Sequence, residues 1–334
     1  MTSRAATTTT PSDTGVISRP PPSGRGGSDT PPPSSRSIPP GETHAFVRAR
    51  DGTRLFHRSR SSPSAAALNG RAFLCDGIVC DGFIWKYLWP DLSEVVPVTH
   101  FHYRGHGRSA APVDPERVDV PAHADDLQVV REEMGDPPCV LIGHSMGCQV
   151  ALEALRHHRK NVRGLVLLCG SYGRVTRTFR GVPILDMILP KIAKAVRKNE
   201  GLVRAFWERI PSEMALKLAL KAGDLDPLHF SMDDMRPYVT HMRSMDLPLF
   251  LRMLTAAGEH TAEDLLPSID VPVLVLAGER DTFTPPFLAE WMAKSIPGSE
   301  LFVVAGASHV APLEQHELVD AKIADFVRKC GLTA

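Results

Sequence analysis

The sequence predicts an α/β fold: a mostly parallel central sheet with helices on both faces and a helical insertion past its middle. Three observations predict it. Short Val/Ile/Leu runs alternate with helical stretches over most of the chain, the pattern of strands and covering helices. Runs such as Val273-Leu-Val-Leu are apolar at every position, as strands buried on both faces are. Residues 171–262 break the alternation with successive helical patterns and no clear strand.

The elements follow in chain order. Of the first 40 positions, 28 are Pro, Gly, Ser or Thr and none is aromatic. Such a segment buries too little apolar surface to offset its ordering entropy, so 1–40 reads as a disordered tail. Four Arg against two Asp make a transit peptide the alternative, which nine prolines oppose by breaking any targeting helix. Stretches 44–50 and 53–57, joined by Asp51-Gly52, read as a β-hairpin. Strands are expected at 71–75, 96–101, 139–143, 162–169, 271–277 and 300–304, with helices at 122–134, 146–158, 286–296 and 312–329. Within the insertion, helical patterns run at 185–198, 202–209, 212–222, 235–244 and 249–257.

Composition excludes several classes. Lys+Arg and Asp+Glu are both 38, so no basic footprint points to nucleic acid. No run of 18 apolar residues predicts a transmembrane helix, and the start of the chain lacks a secretory apolar stretch. A cytoplasmic location is therefore expected. Cys75, Cys80, Cys139, Cys148, Cys169 and Cys330 sit mostly in apolar runs and read as buried, reduced thiols. No Cys/His spacing matches a zinc site, and no metal or organic cofactor is expected.

One motif carries chemistry. Gly143-His144-Ser145-Met146-Gly147 follows an apolar strand and opens a helix, the context of a nucleophile elbow. Gly-x-Ser-x-Gly alone matches by chance in about one chain in ten of this length; its strand–turn–helix placement supplies the specificity. A serine nucleophile needs a base. Of 14 histidines, His309 stands in the loop between the last strand and the last helix, where open parallel sheets build their sites. A carboxylate must then hold the imidazole. Asp281, beyond the 271–277 strand, is the better placed, and Glu279 on the same loop competes. The oxyanion donors would be backbone N–H groups, from Met146 and, in the loop after 71–75, from Ile78.

These segments together resemble the α/β-hydrolase superfamily, in its esterase, lipase and peroxidase-like branch, over 44–330. The order Ser145, Asp281, His309 is that superfamily's order. Tyr103-Arg-Gly-His-Gly-Arg-Ser109 is similar to its Arg-Gly-x-Gly-x-Ser loop, Asp76-Gly77 with Trp85 to its His-Gly…Trp oxyanion segment, and Ser308-His309-Val-Ala-Pro-Leu-Glu314 to its histidine loop. Two positions depart: Asp76 replaces the usual His, and His102 stands where an Asp is common. Asp76 is expected to bring a carboxylate near the site and to disfavour anionic substrates.

The resemblance implies a core formed by 41–170 and 263–334 and a cap formed by 171–262. Serine at the elbow separates the chain from haloalkane dehalogenases and epoxide hydrolases, which use Asp, and from dienelactone hydrolases, which use Cys. It implies hydrolysis of a small to medium ester, with a hydrophobic acyl or alcohol part, through an acyl-enzyme on Ser145. Carbon–carbon bond hydrolysis and cofactor-free peroxidase or perhydrolase chemistry use the same triad. A non-catalytic interaction protein on this fold is the alternative from another class. The apolar cap stretches 184–189, 214–220 and 249–254 could line a pocket, or simply pack the cap onto the core. The cap cations Lys191, Lys194, Arg197 and Lys198 read as a solvated face.

Overall fold

Residues 38–199, 201, 205, 214, 225–226, 228–229 and 231–332 are described by a computed structural model. Nearly all of the expected tail, and most of the expected helices at 202–209 and 212–222, lie outside the described residues.

Eight strands form one sheet in the order β1-β2-β4-β3-β5-β6-β7-β8. They are β1 Glu42–Arg48, β2 Arg54–Arg60, β3 Arg71–Cys75, β4 Val98–Phe101, β5 Cys139–His144, β6 Val162–Leu168, β7 Val273–Gly278 and β8 Glu300–Val304. The hairpin pairs β1 with β2, and β2 lies antiparallel to β4; every other pairing is parallel. The chain steps outward from β3 to β4 and returns to β5 on the opposite side of β3. That reversal opens a crevice at the carboxyl ends of β3 and β5.

Strand periodicity sorts the core into two layers. Phe73, Leu141, Leu165, Leu167 and Val275 point to one face, where Leu127, Val150 and Leu152 cover them. Leu74, Ile142, Val166, Leu168 and Leu276 point to the other, against Trp85, Leu88, Ile323 and Phe326. Covering both faces is why these strands carry no polar alternation.

Element ends differ from expectation for local reasons. β4 and β7 each start two residues later than expected, directly after Pro97 and Pro272, which have no N–H to give the ladder. The helix Val120–Glu133 starts earlier than expected, because Asp119 caps it by accepting from the Ala122 N–H at 3.0 Å. The expected helix at 312–329 is two, Ala311–Glu314 and His316–Lys329, broken at Gln315 (φ −133°, ψ 49°). Glu314 is drawn back onto Ser308, accepting from its N–H and its hydroxyl at 2.7 Å each.

Between β6 and β7 the described chain is helical: Val175–Thr178, Ile184–Lys198, Met232–Ser244 and Leu247–Glu259. The last of these seats Leu249, Met253 and Ala257 in the core and turns Leu251 toward Leu189 and Val196. The apolar run at 249–254 therefore serves packing; in the run at 184–189 Leu189 packs, while Met187 and Ile188 are exposed. Cys75, Cys80, Cys139, Cys148 and Cys169 are buried thiols and Cys330 is half-buried, all six free. No described helix is long and apolar enough to cross a membrane.

Candidate active site

Ser145 sits between β5 and the helix Met146–His157 with φ 56° and ψ −119°. A non-glycine residue rarely adopts positive φ, and the glycines around it explain how the turn closes. A Cβ on Gly143 would come within 2.3 Å of the Gly147 carbonyl oxygen, and one on Gly147 within 2.1 Å of the Cys75 carbonyl oxygen. Only at glycine can the helix start lie this close to β3 and β5. The turn lifts the Ser145 side chain off the sheet end.

The Ser145 hydroxyl lies 3.0 Å from His309 Nε2. On the other side of the ring, Nδ1 lies 2.8 Å from Asp281 Oδ2. A carboxylate only accepts, so Nδ1 carries the proton and Nε2 faces the hydroxyl with its lone pair. Asp281 is held in turn: Oδ1 accepts from the N–H groups of Phe283 and Thr284 at 2.8 and 2.9 Å, and Oδ2 from the Thr284 hydroxyl at 2.8 Å. The competing Glu279 accepts from the Gly306 N–H at 2.7 Å, tying two loops together away from the imidazole.

Three residues from three loops thus meet, although 164 positions separate Ser145 from His309. The sequence model of the alpha/beta hydrolase fold family matches residues 73–315. The chain belongs to the α/β-hydrolase family. It is 28% identical over 271 residues to pimeloyl-[acyl-carrier protein] methyl ester esterase of Neisseria meningitidis serogroup C, covering 81% of this chain and 98% of that one. It is 27% identical over 270 residues to a putative 2-succinyl-6-hydroxy-2,4-cyclohexadiene-1-carboxylate synthase of Bacillus subtilis, covering 75% and 90%. Among solved structures, an esterase from Exiguobacterium antarcticum superposes with a TM-score of 0.70 at 20% identity, over 85% of this chain and 98% of that one. The last likeness is one of fold.

In this α/β-hydrolase the loop after β3 passes over the nucleophile: a Cβ on Gly77 would lie 3.1 Å from that of Ser145. Ile78 lines the same cavity as Ser145 and His309. Met146 is the first residue of its helix, where an N–H has no intrahelical acceptor.

The two departures from the family pattern have structural explanations. Asp76 is fully buried and faces away from the cavity. Its Oδ1 accepts from Trp85 Nε1 at 2.6 Å and its Oδ2 lies 2.9 Å from His100 Nε2. Burial pushes this carboxyl up to about 7. The carboxylate expected beside the substrate therefore sits behind the loop, among its supports, and the expected bias against anions loses its basis. At His102, burial drives the imidazole pKa well below its usual value, which leaves Nδ1 free to accept from the Arg108 N–H at 2.8 Å. A neutral ring accepts the loop's N–H where a carboxylate is common.

The cavity has a volume of about 230 Å³, small beside the roughly 300–1,000 Å³ of drug-sized sites. Phe83, Leu225, Met235, Val239, Met242 and Phe283 are among the apolar residues of its wall. Among the described lining residues there is no Lys, Arg, Asp or Glu. Sequence reasoning missed this wall, because the side of Met232–Ser244 that faces the cavity follows only from tertiary packing. It also missed Thr284, for which Asp281-x-x-Thr284 is a local turn signal. It missed Phe283, whose ring stacks on His309 with centroids 5.0 Å apart, and His144, whose Nε2–H donates to the His309 carbonyl at 3.0 Å. Burial holds His144 down at about 3, so that donor remains a neutral ring. Among the described residues, no cluster of three or more His, Cys, Asp or Glu is arranged to hold a metal ion.

Proposed function

We propose that this chain is a serine esterase that cleaves a neutral carboxylic ester, with a small to medium apolar acyl or alcohol part, through an acyl-enzyme on Ser145. The observation that carries this reading is the proton path Ser145–His309–Asp281, with steps of 3.0 and 2.8 Å, opening into a largely apolar cavity with no charged side chain among its described lining residues. His309 Nε2 takes the hydroxyl proton as Ser145 Oγ attacks the ester carbonyl. Asp281 holds the imidazole in the tautomer that can do so and stabilises the imidazolium. The N–H groups of Ile78 and Met146 receive the developing oxyanion. His309 then protonates the departing alkoxide. Water enters, gives its proton to His309, and attacks the acyl carbonyl; the acid leaves and Ser145 regains its proton. No step calls on a cofactor.

In this reading, segment 171–262 acts as the cap, its helix Met232–Ser244 forming the wall against which the substrate chain packs. Similarity to an esterase named for a methyl ester of an acyl chain supports the substrate class. None of the described lining residues is charged, which favours esters over the anionic ketoacids of carbon–carbon bond hydrolysis, whose charge calls for a cation in the pocket. A fluorophosphonate probe tests the mechanism. The parent chain should label and Ser145→Ala should not, with hydrolysis of an alkyl-ester panel lost in parallel. Equal labelling of both proteins would remove Ser145 from the role.

A further inference from the structure

We infer that Tyr103 and His106, on the loop after β4, form a clamp that positions the Ile78 N–H for the oxyanion by holding the strained Val79 backbone. This rests on the reading of Ile78 as an oxyanion donor.

Residues Gly77-Ile78-Val79-Cys80 form a turn closed by the Cys80 N–H on the Gly77 carbonyl at 3.3 Å. Val79, at its third position, has φ +63°. Turns with positive φ at that position call for Gly or Asn. For a β-branched side chain the conformation is a genuine outlier, which persists only where the surroundings over-determine it. Among the described residues, Val79 is the one β-branched residue with positive φ.

The surroundings are visible. The Val79 N–H donates to His106 Nε2 at 3.3 Å. His106 Nδ1 lies 3.1 Å from the Arg104 carbonyl oxygen, which can only accept. Nδ1 therefore carries the proton and Nε2 presents its lone pair to Val79. Burial lowers the His106 pKa to about 4, so the ring keeps this form. On the other side of Ile78, the Tyr103 hydroxyl donates to the Asp76 carbonyl at 2.9 Å. The two bonds bracket Gly77-Ile78: one holds a carbonyl before the pair, the other an N–H after it.

The clamp itself is anchored. The Arg104 guanidinium donates to Asp126 Oδ2 at 2.8 Å, to Asp51 Oδ2 at 2.7 Å and to the Arg117 carbonyl at 3.0 Å. Tyr103, Arg104 and His106 are all buried. The loop after β4, which touches no reacting atom, thus sets the orientation of the one oxyanion donor that is not part of the elbow.

Steady-state hydrolysis of a short alkyl ester by His106→Leu, Tyr103→Phe, Val79→Gly, His106→Leu/Val79→Gly and Ser145→Ala tests this. A positioning role lowers kcat and leaves KM within about twofold. His106→Leu should lose about 10- to 100-fold in kcat, less than the roughly 10²–10³ of removing a whole oxyanion donor. Glycine reaches positive φ without help, so on the Val79→Gly background the same His106 substitution should cost no more than about threefold. Tyr103→Phe keeps the ring and removes only the hydroxyl, so it reads the clamp even where His106→Leu does not fold; its kcat should fall with KM unmoved. Parental kcat in both Tyr103→Phe and His106→Leu overturns the inference. So does an equal His106→Leu penalty on both backgrounds, or a loss confined to KM. If Ser145→Ala retains activity, it is the esterase reading that falls instead.

Discussion

Asp281 accepts four hydrogen bonds, from the N–H groups of Phe283 and Thr284, the Thr284 hydroxyl and His309. Three of the four come from its own loop, so the carboxylate is aimed before the imidazole arrives. Asp281→Asn should keep the fold and lower kcat by roughly 10³- to 10⁴-fold, because the amide stabilises the wrong tautomer and no imidazolium. Thr284→Val removes one support and should cost about tenfold in kcat. Ester kinetics on both variants, with thermal melting to check the fold, measure this ordering. A Thr284→Val loss as large as that of Asp281→Asn would make the threonine more than a support. At this scale the chain was legible where the signal is local. Ser145 lies inside a five-residue pattern, and His309 lies in the loop after the last strand. Asp281 and Glu279 stand two positions apart on one loop, and only the fold turns one toward the imidazole and the other toward Gly306.

Helices differ in how much of their role the pattern reveals. The elbow helix Met146–His157 is buried over most of its length, and its apolar sequence says so. Met232–Ser244 carries Asp, Arg, His and Pro among its residues and looks the least like a pocket wall. Nevertheless it supplies Met235, Tyr238, Val239 and Met242 to the cavity. Filling that wall should change substrate length preference before it changes chemistry. Val239→Trp should raise KM at least about tenfold for hexanoyl or longer esters while leaving acetyl-ester turnover within about threefold, in the range that pocket size controls. Equal effects across the chain-length series would place the acyl chain elsewhere. The strongly apolar run at 249–254 serves packing, the larger energetic need of any helix laid on a core, whereas the run at 184–189 buries Leu189 and leaves Met187 and Ile188 exposed.

At the scale of the whole molecule, Asp320 is a buried liability for stability. Asp320, on the helix His316–Lys329, is 4% exposed, and neither of its oxygens has a hydrogen-bond partner among the described residues. Burial, and then the Asp91 carboxylate, push it from 3.8 up to about 8. A folded-state pKa raised above the unfolded one means that the folded chain holds this proton longer. Its stability contribution is complete below about pH 4 and is lost as pH climbs toward 8. Asp320→Asn should therefore be more stable than the parent at pH 8.5, by on the order of 2 kcal/mol, with the gap closing toward pH 4. Denaturant melts at the two pH values check this, and a gap that does not vary with pH would count against it. By itself the sequence determined the layered α/β architecture, the order of strands and helices, and the loops that bear Ser145, Asp281 and His309. These follow from hydrophobic periodicity and turn chemistry, which act over a few residues. Tertiary structure alone decided which carboxylate reaches the imidazole, which helix walls the cavity, and that Asp76 turns inward to Trp85 and His100. Those outcomes depend on contacts between residues far apart in the chain, where the side chain facing a site is set by how whole layers pack and not by its neighbours in sequence.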